Sequence, residues 1–234
     1  MREAEEAIVL VGGLGTRLRA ELADLPKPLA PVAGRPFLAY VLDQLAAGGL
    51  RRTILATGYL SEKVEAAIGR HWGDMEIAYS VEEVPLGTGG AVARAAKQLQ
   101  GSNAHIANGD TFLRFDLRSL EQAVDAAGAS LGMALAQVAD VGRYGAVEVL
   151  DGRVSAFREK GGQGPGLVNA GSYFVTADAI AGFPQRDVFS FEEAVLLPMA
   201  NAGRVVALSD TSNFIDIGVP EDYRNARRLF AGLA

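Results

Sequence analysis

The sequence predicts an α/β fold with a mostly parallel central sheet and an antiparallel-rich second half. Two observations lead to this prediction: short β-branched runs alternate with helix-period segments in the first half, and apolar runs follow one another closely in the second. The chain has 234 residues, 49% of them hydrophobic, which is enough to form a large core and excludes an intrinsically disordered protein.

Four apolar runs in the first half are predicted to be strands. They are EAIVLV (6–11), RTILATG (52–58), EIAYS (76–80) and NAHIAN (103–108). Apolar residues at helical spacing predict helices over 36–47, 61–69 and 90–99. Strands that alternate with helices form βαβ units, so these strands should lie parallel in one sheet.

The second half is predicted to be rich in antiparallel strands. Its apolar runs are 128–138, 144–150, 153–159 and 166–175. Asp151-Gly152 is typical of a hairpin turn. Helices are expected over 190–200, with a Ser190…Glu193 capping box, and over 220–230. The glycine-rich segment 161–166 is too short for a linker, so we expect one domain spanning 1–234.

The composition excludes several classes of function. With 22 Lys+Arg against 28 Asp+Glu, the net charge of −6 argues against nucleic acid and anionic membranes as partners. The absence of cysteine excludes a disulfide scaffold. No apolar stretch is long enough for a membrane span, and the acidic N-terminus is unlike a signal peptide, so we expect a cytoplasmic protein. The composition leaves the oligomeric state open.

The glycine-rich segment Gly12–Leu18 directly follows the first predicted strand. Glycines at this place let backbone N–H groups approach phosphate oxygens. The segment matches neither GxGxxG nor a Walker A loop, which argues against a nicotinamide dehydrogenase and a P-loop enzyme. Taken alone, it fits a turn without a ligand equally well. Arg17 and Lys27, the latter between Pro26 and Pro28, add two cations and so favour a triphosphate site.

Two carboxylates are candidates for a metal site. Asp110 follows the fourth strand in Asn108-Gly109-Asp110, at the sheet edge where α/β proteins bind ligands. Taken alone, this tripeptide fits a tight turn capped by aspartate better. Asp216 lies between apolar residues, and a buried carboxylate is costly unless it is paired or metal-bound. Mg²⁺ takes few protein ligands, so carboxylates of this kind would suit it.

The order of GGLGTRL, PKP, NGD and FIDIG, from Ile8 to about Tyr223, resembles the sugar-1-phosphate nucleotidyltransferase family. The resemblance implies a Rossmann-like, GT-A-like nucleotidyltransferase fold. It implies transfer of a nucleotidyl group from a nucleoside triphosphate to a sugar 1-phosphate, with release of pyrophosphate. The nucleotide part would cover about 1–115 and the sugar-phosphate part about 116–234. Val11 departs from the family, which usually has alanine there, and we expect only a packing adjustment.

The resemblance also implies roles for individual residues. The catalytic residues would be Arg17, Lys27 and Lys160; the nucleotide-binding residues Gly12, Gly13, Gly15, Thr16, Glu82, Gly87 and Thr88; the sugar-binding residues Asn108, Gly145, Glu159 and Asn169; and the Mg²⁺ ligands Asp110 and Asp216. Carboxylate and amide groups suit sugar hydroxyls, and an ammonium suits a phosphate. Without the resemblance, Glu159-Lys160 would be interpreted as an exposed strand end.

Glu82 indicates which base is bound. A carboxylate is an acceptor only and can take both N–H groups of the guanine Watson–Crick edge, whereas it would repel the carbonyls of uracil and thymine. Glu82 therefore favours GTP, although neighbouring Glu83 could take the role or both could be solvated. The alternatives are a uridylyl- or thymidylyltransferase for a hexose or N-acetylmuramate 1-phosphate, and a non-catalytic nucleotide-sugar-binding module. A non-catalytic module would be expected to have lost a metal-binding carboxylate or a lysine of the site, and all of these residues are present.

Overall fold

The computed structural model describes residues 3–13 and 25–231, which are built around a ten-stranded mixed sheet. The strands are β1 (Glu6–Leu10), β2 (Pro31–Val32), β3 (Arg35–Pro36), β4 (Arg52–Thr57), β5 (His71–Trp72), β6 (Met75–Val81), β7 (Ala104–Asn108), β8 (Thr111–Arg114), β9 (Leu131–Val138), β10 (Val147–Leu150), β11 (Arg153–Phe157), β12 (Gly166–Val175), β13 (Val205–Leu208) and β14 (Ser212–Asp216). The helices are α1 (Phe37–Ala47), α2 (Ser61–Ile68), α3 (Gly87–Ala96), α4 (Leu117–Ala126), α5 (Ala177–Ala181), α6 (Leu197–Asn201) and α7 (Pro220–Ala231).

The strand order of the large sheet is β10-β11-β13-β9-β12-β7-β1-β4-β6-β5. Strands β7, β1, β4 and β6 are parallel neighbours, and Ile8 of β1 lies opposite Ile54 and Ile106. Strand β12 pairs antiparallel with both β7 and β9, and at the other edge the short strand β5 pairs antiparallel with β6. The sheet thus confirms the predicted α/β class, with a parallel first half and an antiparallel-rich second half.

Alternate residues of the central strands face helices on opposite sides of the sheet. Ala7 and Val9 of β1 belong to a buried cluster that includes residues of α1 and α7. Ile8 faces the other side, in a cluster that includes residues of α3 and the segment before α6. Strand β1 is buried on both faces, as its apolar residues Ala7–Leu10 require, and it lies inside the sheet between β7 and β4.

Most predicted element positions are confirmed, and the differences have local causes. Helix α3 begins at Gly87, so the expected start at residue 90 is wrong. The hairpin at Asp151-Gly152 is present, with positive φ at both residues. Ser190 Oγ accepts a hydrogen bond from the Glu193 N–H at 3.3 Å, as the capping box predicts. The elements that were not predicted are the two-residue strands β2, β3 and β5, the strands β8, β13 and β14, and the helices α4 and α5. Strand β13 lies parallel to β9, between it and β11.

A buried polar network joins β7, α4 and the N-terminal segment. Glu121 is 3% exposed. Its Oε1 lies 2.9 Å from His105 Nε2 and accepts from the Ala4 N–H, while Oε2 accepts from Arg118 Nη1 at 2.7 Å. Burial raises the pKa of the Glu121 carboxyl, but the hydrogen bonds from His105 and Arg118 outweigh it, so the pKa lies below its ordinary value.

Glu121→Gln should lower the free energy of unfolding by roughly 2–3 kcal/mol at pH 7, since it removes a charge that accepts buried hydrogen bonds. A carboxyl whose pKa is lowered on folding contributes stability above its unfolded pKa and loses it as pH falls through the folded pKa. The difference between variant and wild type should therefore shrink on acidification below about pH 4.5. Urea unfolding across pH measures this. Exposed Glu3, 3.6 Å from Arg118, provides the control Glu3→Gln, which should change stability by less than about 1 kcal/mol.

Among residues 3–13 and 25–231, no helix has both the length and the apolar character needed to cross a bilayer.

Candidate active site

Two carboxylates and a lysine converge at the carboxyl ends of the central strands. Lys27 Nζ lies 2.6 Å from Asp110 Oδ2 and 3.6 Å from Asp216 Oδ1. The lysine side chain is only 14% exposed. It lies at the start of a 3₁₀ turn (Lys27–Leu29) and follows Pro26, so its backbone is restricted by the proline on either side. The structure thus brings together three residues that the sequence analysis had predicted separately.

Backbone pairing places the two aspartates side by side. Gly109 donates its N–H to the Leu10 carbonyl at 2.8 Å, which holds the turn after β7 against the end of β1. A Cβ at Gly109 would lie 2.9 Å from that same carbonyl oxygen, so glycine is required there. Strands β8 and β14 form a two-stranded ribbon in which Asp216 lies opposite Thr111. Because Thr111 follows Asp110 directly, this pairing places Asp216 next to Asp110.

The electrostatics of this centre favour a bound cation. Burial raises the pKa of the Asp216 carboxyl, the Lys27 ammonium opposes this, and the Asp110 charge adds to the rise. The Gly218 N–H donates to Asp216 Oδ1 at 2.8 Å and so orients the carboxylate. In the described part of the chain no group of three or more His, Cys, Asp and Glu could hold a metal ion. Two convergent carboxylates nevertheless fit Mg²⁺, which uses one or two protein carboxylates together with phosphate oxygens and water.

Glu82 lies beside the glycines that follow β1 and β4. Its Oε2 accepts from the Leu86 N–H at 3.1 Å, which fixes the carboxylate. A Cβ at Gly12 would lie 3.0 Å from Glu82 Oε1, and one at Gly58 would lie 3.2 Å from it. Gly12 and Gly13 are exposed at the end of β1, with open space at Gly13. Of the predicted nucleotide residues, the structure therefore brings Gly12 and Glu82 together.

The glycine-rich start of α3 packs against residues 187–191. Gly87 has a φ of +72°, and a Cβ there would lie 2.6 Å from the Phe189 carbonyl oxygen. The same oxygen accepts from the Gly89 N–H at 2.9 Å. Thr88 Oγ1 accepts from the Phe191 N–H at 2.9 Å. The structure thus gives Gly87 and Thr88 a packing role; their predicted contact with a nucleotide stays a prediction.

A cleft of about 460 Å³ lies over the antiparallel half of the sheet. Its lining brings together four of the residues predicted for the sugar phosphate: Gly145, Glu159, Lys160 and Asn169. Asn108, at the end of β7, lies next to this region, because a Cβ on Gly171 of β12 would be 2.3 Å from Asn108 Nδ2. The cleft and the carboxylate centre therefore adjoin at the β7–β12 boundary.

The structure adds Glu192 to the cleft, a residue for which the sequence predicted no role. Tyr144, which precedes Gly145 and was a candidate from sequence, also lines the cleft. Burial, followed by the Asp222 charge, raises the pKa of Tyr144 to about 12, so its hydroxyl stays protonated at neutral pH. The Ser-Phe-Glu-Glu run was predicted to start a helix, and no role was predicted for Glu192. An acidic residue in the first turn of a helix predicts no cleft by itself, so sequence gave no signal for Glu192.

Gly15, Thr16 and Arg17 lie outside the described residues. Their predicted contacts with the triphosphate therefore stay predictions, as do the individual roles of the other site residues.

Comparison with known proteins decides the family. The model of the nucleotidyl transferase family matches residues 6–231. The chain belongs to this family. It is a sugar-1-phosphate nucleotidyltransferase, and a nucleoside triphosphate and a sugar 1-phosphate are the substrates that fit the family. Enzymes of the family generally use a divalent metal ion.

Two curated relatives are similar over nearly the whole chain. D-glycero-alpha-D-manno-heptose 1-phosphate guanylyltransferase of Aneurinibacillus thermoaerophilus is 40% identical, over 95% of this chain and 97% of its own length. Mannose-1-phosphate guanylyltransferase of Mycobacterium tuberculosis is 37% identical, over 98% of this chain and 66% of its own length.

The fold is shared with a solved nucleotidyltransferase. Crystal structures of HddC from Yersinia pseudotuberculosis, one of them complexed with GMP-PN, superpose with a TM-score of 0.84 at 34% identity, over 96% of this chain and 99% of that one. The predictions of fold class, family and nucleotidyl transfer are confirmed by these comparisons.

Proposed function

We propose that the protein is a cytoplasmic guanylyltransferase that transfers GMP from GTP to D-glycero-α-D-manno-heptose 1-phosphate and releases pyrophosphate. The chain would act as a single nucleotidyltransferase domain, with its nucleotide part over about 1–115 and its sugar-phosphate part over about 116–234. The observation that carries the proposal is the adjacency of the Lys27–Asp110–Asp216 centre to the cleft lined by Gly145, Lys160 and Asn169. Such a pair of sites can hold two phosphates next to each other.

The choice of GTP is supported by Glu82 and by the relatives. The Glu82 carboxylate is held by the Leu86 N–H and lies beside Gly12, the first glycine after β1. A carboxylate has about four lone-pair sites, so a bond from Leu86 leaves acceptors for the two N–H groups of guanine. The two curated relatives are named guanylyltransferases, and HddC was crystallised with GMP-PN.

The reaction would be an in-line displacement at the α-phosphorus of GTP. A phosphate oxygen of the sugar 1-phosphate forms the new P–O bond while the bond to the bridging oxygen breaks and its electron pair leaves with pyrophosphate. The nucleophile is already an anion, so no base and no covalent enzyme intermediate are needed. Lys160 would hold the attacking phosphate, and Arg17 and Lys27 would stabilise the leaving pyrophosphate. Catalysis would then consist of positioning and charge stabilisation.

Asp110 and Asp216 would hold Mg²⁺ in this reaction. When bound, the ion neutralises charge on the phosphates near the reacting phosphorus. The proposal is supported by the approach of both carboxylates to one ammonium group, Lys27 Nζ, since two neighbouring carboxylates attract a cation.

A pyrophosphate-release assay over the four common nucleoside triphosphates, crossed with a panel of sugar 1-phosphates, tests the proposal. We expect the highest kcat/KM with GTP and the heptose 1-phosphate. A preference for UTP or dTTP would support the uridylyl- or thymidylyltransferase alternative, and a preference for mannose 1-phosphate would correct the sugar. Binding without turnover on every pair would indicate a non-catalytic module.

Lys160→Ala should raise KM for the sugar 1-phosphate by about tenfold or more, since loss of a charge-assisted phosphate contact costs roughly 1.5–3 kcal/mol. KM for GTP should change little, because the lysine lines the cleft over the antiparallel half. Steady-state kinetics with each substrate varied in turn measure both constants. Exposed Lys97 at the end of α3 provides the matched control Lys97→Ala, for which both constants should stay at the wild-type level. Equal effects of the two variants would contradict the role of Lys160.

A further inference from the structure

A β-bulge in β12 sets the direction of Asn169. The pairing of β12 with β9 shifts register between Asn169 and Ser172. Gly171, within the bulge, has a φ of +65°, and a Cβ there would lie 2.3 Å from Asn108 Nδ2. Bulges re-aim side chains and are over-represented next to active sites. This one lies where β12 passes the cleft.

Hydrogen bonds fix the orientation of the Asn169 amide. Its Oδ1 accepts from the Gly171 N–H at 3.0 Å and from the Tyr173 hydroxyl at 2.9 Å. Burial, with the Glu192 charge as a second cause, raises the pKa of Tyr173, so that hydroxyl remains a donor. With both lone pairs of Oδ1 used, Nδ2 points to the other side and donates to Glu192 Oε1 at 3.3 Å.

Glu192 lies at the start of a π-helical segment, Glu192–Leu196. Such segments are rare and frequent at functional sites. Val195 and Leu196 are buried, which anchors the segment, whereas Glu192 is exposed at the cleft. Asn169 and Glu192 therefore present a fixed amide donor beside a carboxylate acceptor. A hydroxyl group, which both accepts and donates, matches this pair.

The charges of the cleft are unequal. Two carboxylates, Glu159 and Glu192, line it together with Lys160 and Arg158. Arg158 Nε donates a hydrogen bond to Glu148 Oε1 at 2.7 Å, so the positive charge of Arg158 is paired with that carboxylate. This inference rests on the proposed function, in which the phosphate of the sugar compensates the positive charge of Lys160. Two negative charges then face the rest of the sugar.

We propose that Glu192, positioned by Asn169, makes the cleft selective for neutral, hydroxyl-bearing sugar 1-phosphates and against sugar 1-phosphates that carry a second acidic group. A sugar carboxylate would meet like charge at Glu159 and Glu192 and would offer no proton to the Glu192 acceptor. Uronic acid 1-phosphates and lactyl-ether sugar phosphates are thereby rejected.

The test compares mannose 1-phosphate with mannuronic acid 1-phosphate, which differ only at C6, where a hydroxymethyl group is replaced by a carboxylate. In the wild-type protein we expect kcat/KM with GTP to be at least about a hundredfold higher for the neutral sugar. Glu192→Gln keeps the shape and removes the charge, and it should reduce this ratio at least about tenfold, chiefly by raising the value for the acidic sugar. Each compound is also measured as an inhibitor that competes with the heptose 1-phosphate, because an inhibition constant reports binding. The preference for the neutral sugar, expressed as the ratio of the two inhibition constants, should likewise fall in Glu192→Gln.

The control is Glu193→Gln, which removes the neighbouring exposed charge on a residue that does not line the cleft. Its ratio should equal that of the wild type. An unchanged ratio in Glu192→Gln, or an equal change in both variants, would overturn the inference while leaving the proposed transfer intact. Absence of transfer from any nucleoside triphosphate to any neutral sugar 1-phosphate would instead overturn the proposed function.

Discussion

Lys27→Ala is expected to lower kcat by roughly a thousandfold while the protein remains folded. Removal of one positioned charge that stabilises a phosphoryl-transfer transition state costs about this much. The side chain is enclosed, at 14% exposure, and lies 2.6 Å from Asp110 and 3.6 Å from Asp216. The substitution leaves two adjacent carboxylates without their cation, so added Mg²⁺ should raise the Tm of the variant more than that of the wild type.

Single-turnover kinetics and thermal unfolding with and without Mg²⁺ measure the two effects. Lys97→Ala removes an exposed lysine at the C-terminal end of α3 and should match the wild type in both. Turnover of the Lys27 variant within tenfold of the wild type would contradict the catalytic role. An equal Mg²⁺ response of variant and wild type would contradict the placing of the ion between Asp110 and Asp216.

Glu82→Gln should reduce kcat/KM for GTP by about 10- to 100-fold and raise it for UTP. A bidentate pair with a base edge discriminates by roughly 1–3 kcal/mol, and glutamine replaces one acceptor by a donor. The side-chain carbonyl of glutamine can still accept from the Leu86 N–H, so the local backbone should be unaffected. The effect is expected in specificity and not in stability.

The neighbouring Glu83 provides the matched comparison, since it is exposed and one residue further along. Glu83→Gln should leave the preference between GTP and UTP unchanged. If instead Glu83→Gln alters the preference and Glu82→Gln does not, Glu83 reads the base. Kinetics with both nucleotides and one saturating sugar 1-phosphate distinguish these outcomes.

The parallel core could be predicted from sequence because its signals are local. The strands around Ile8, Ile54 and Ile106 have mainly apolar, buried residues on both faces, and helices of regular period separate them. The turn at Asp151-Gly152 was equally local. These features depend on residues that are neighbours in the chain, so a single sequence is enough to predict them.

The remaining features depend on contacts between distant segments. Gly87, Gly89 and Gly90 would weaken a helix in isolation, yet α3 begins at Gly87 because residues 187–191 pack where larger side chains would stand. The meeting of Asp110 and Asp216 depends on a two-stranded ribbon whose strands are far apart in sequence. Glu192 lines the cleft from the start of a π-helical segment, and the spacing of apolar residues in the sequence does not predict such a segment.

The seam between the start of α3 and residues 187–191 has a consequence for the evolution and engineering of this enzyme. Phe189 donates to the Leu86 carbonyl and accepts from Gly89, and Phe191 donates to Thr88. The segment beginning at Glu82 and the segment ending at Glu192 are thus joined by main-chain hydrogen bonds and by one bond to the Thr88 side chain. A larger residue grafted on one side would collide with the other, since a Cβ at Gly87 would lie 2.6 Å from the Phe189 carbonyl oxygen. Both segments should therefore be exchanged together when the substrate range is redesigned.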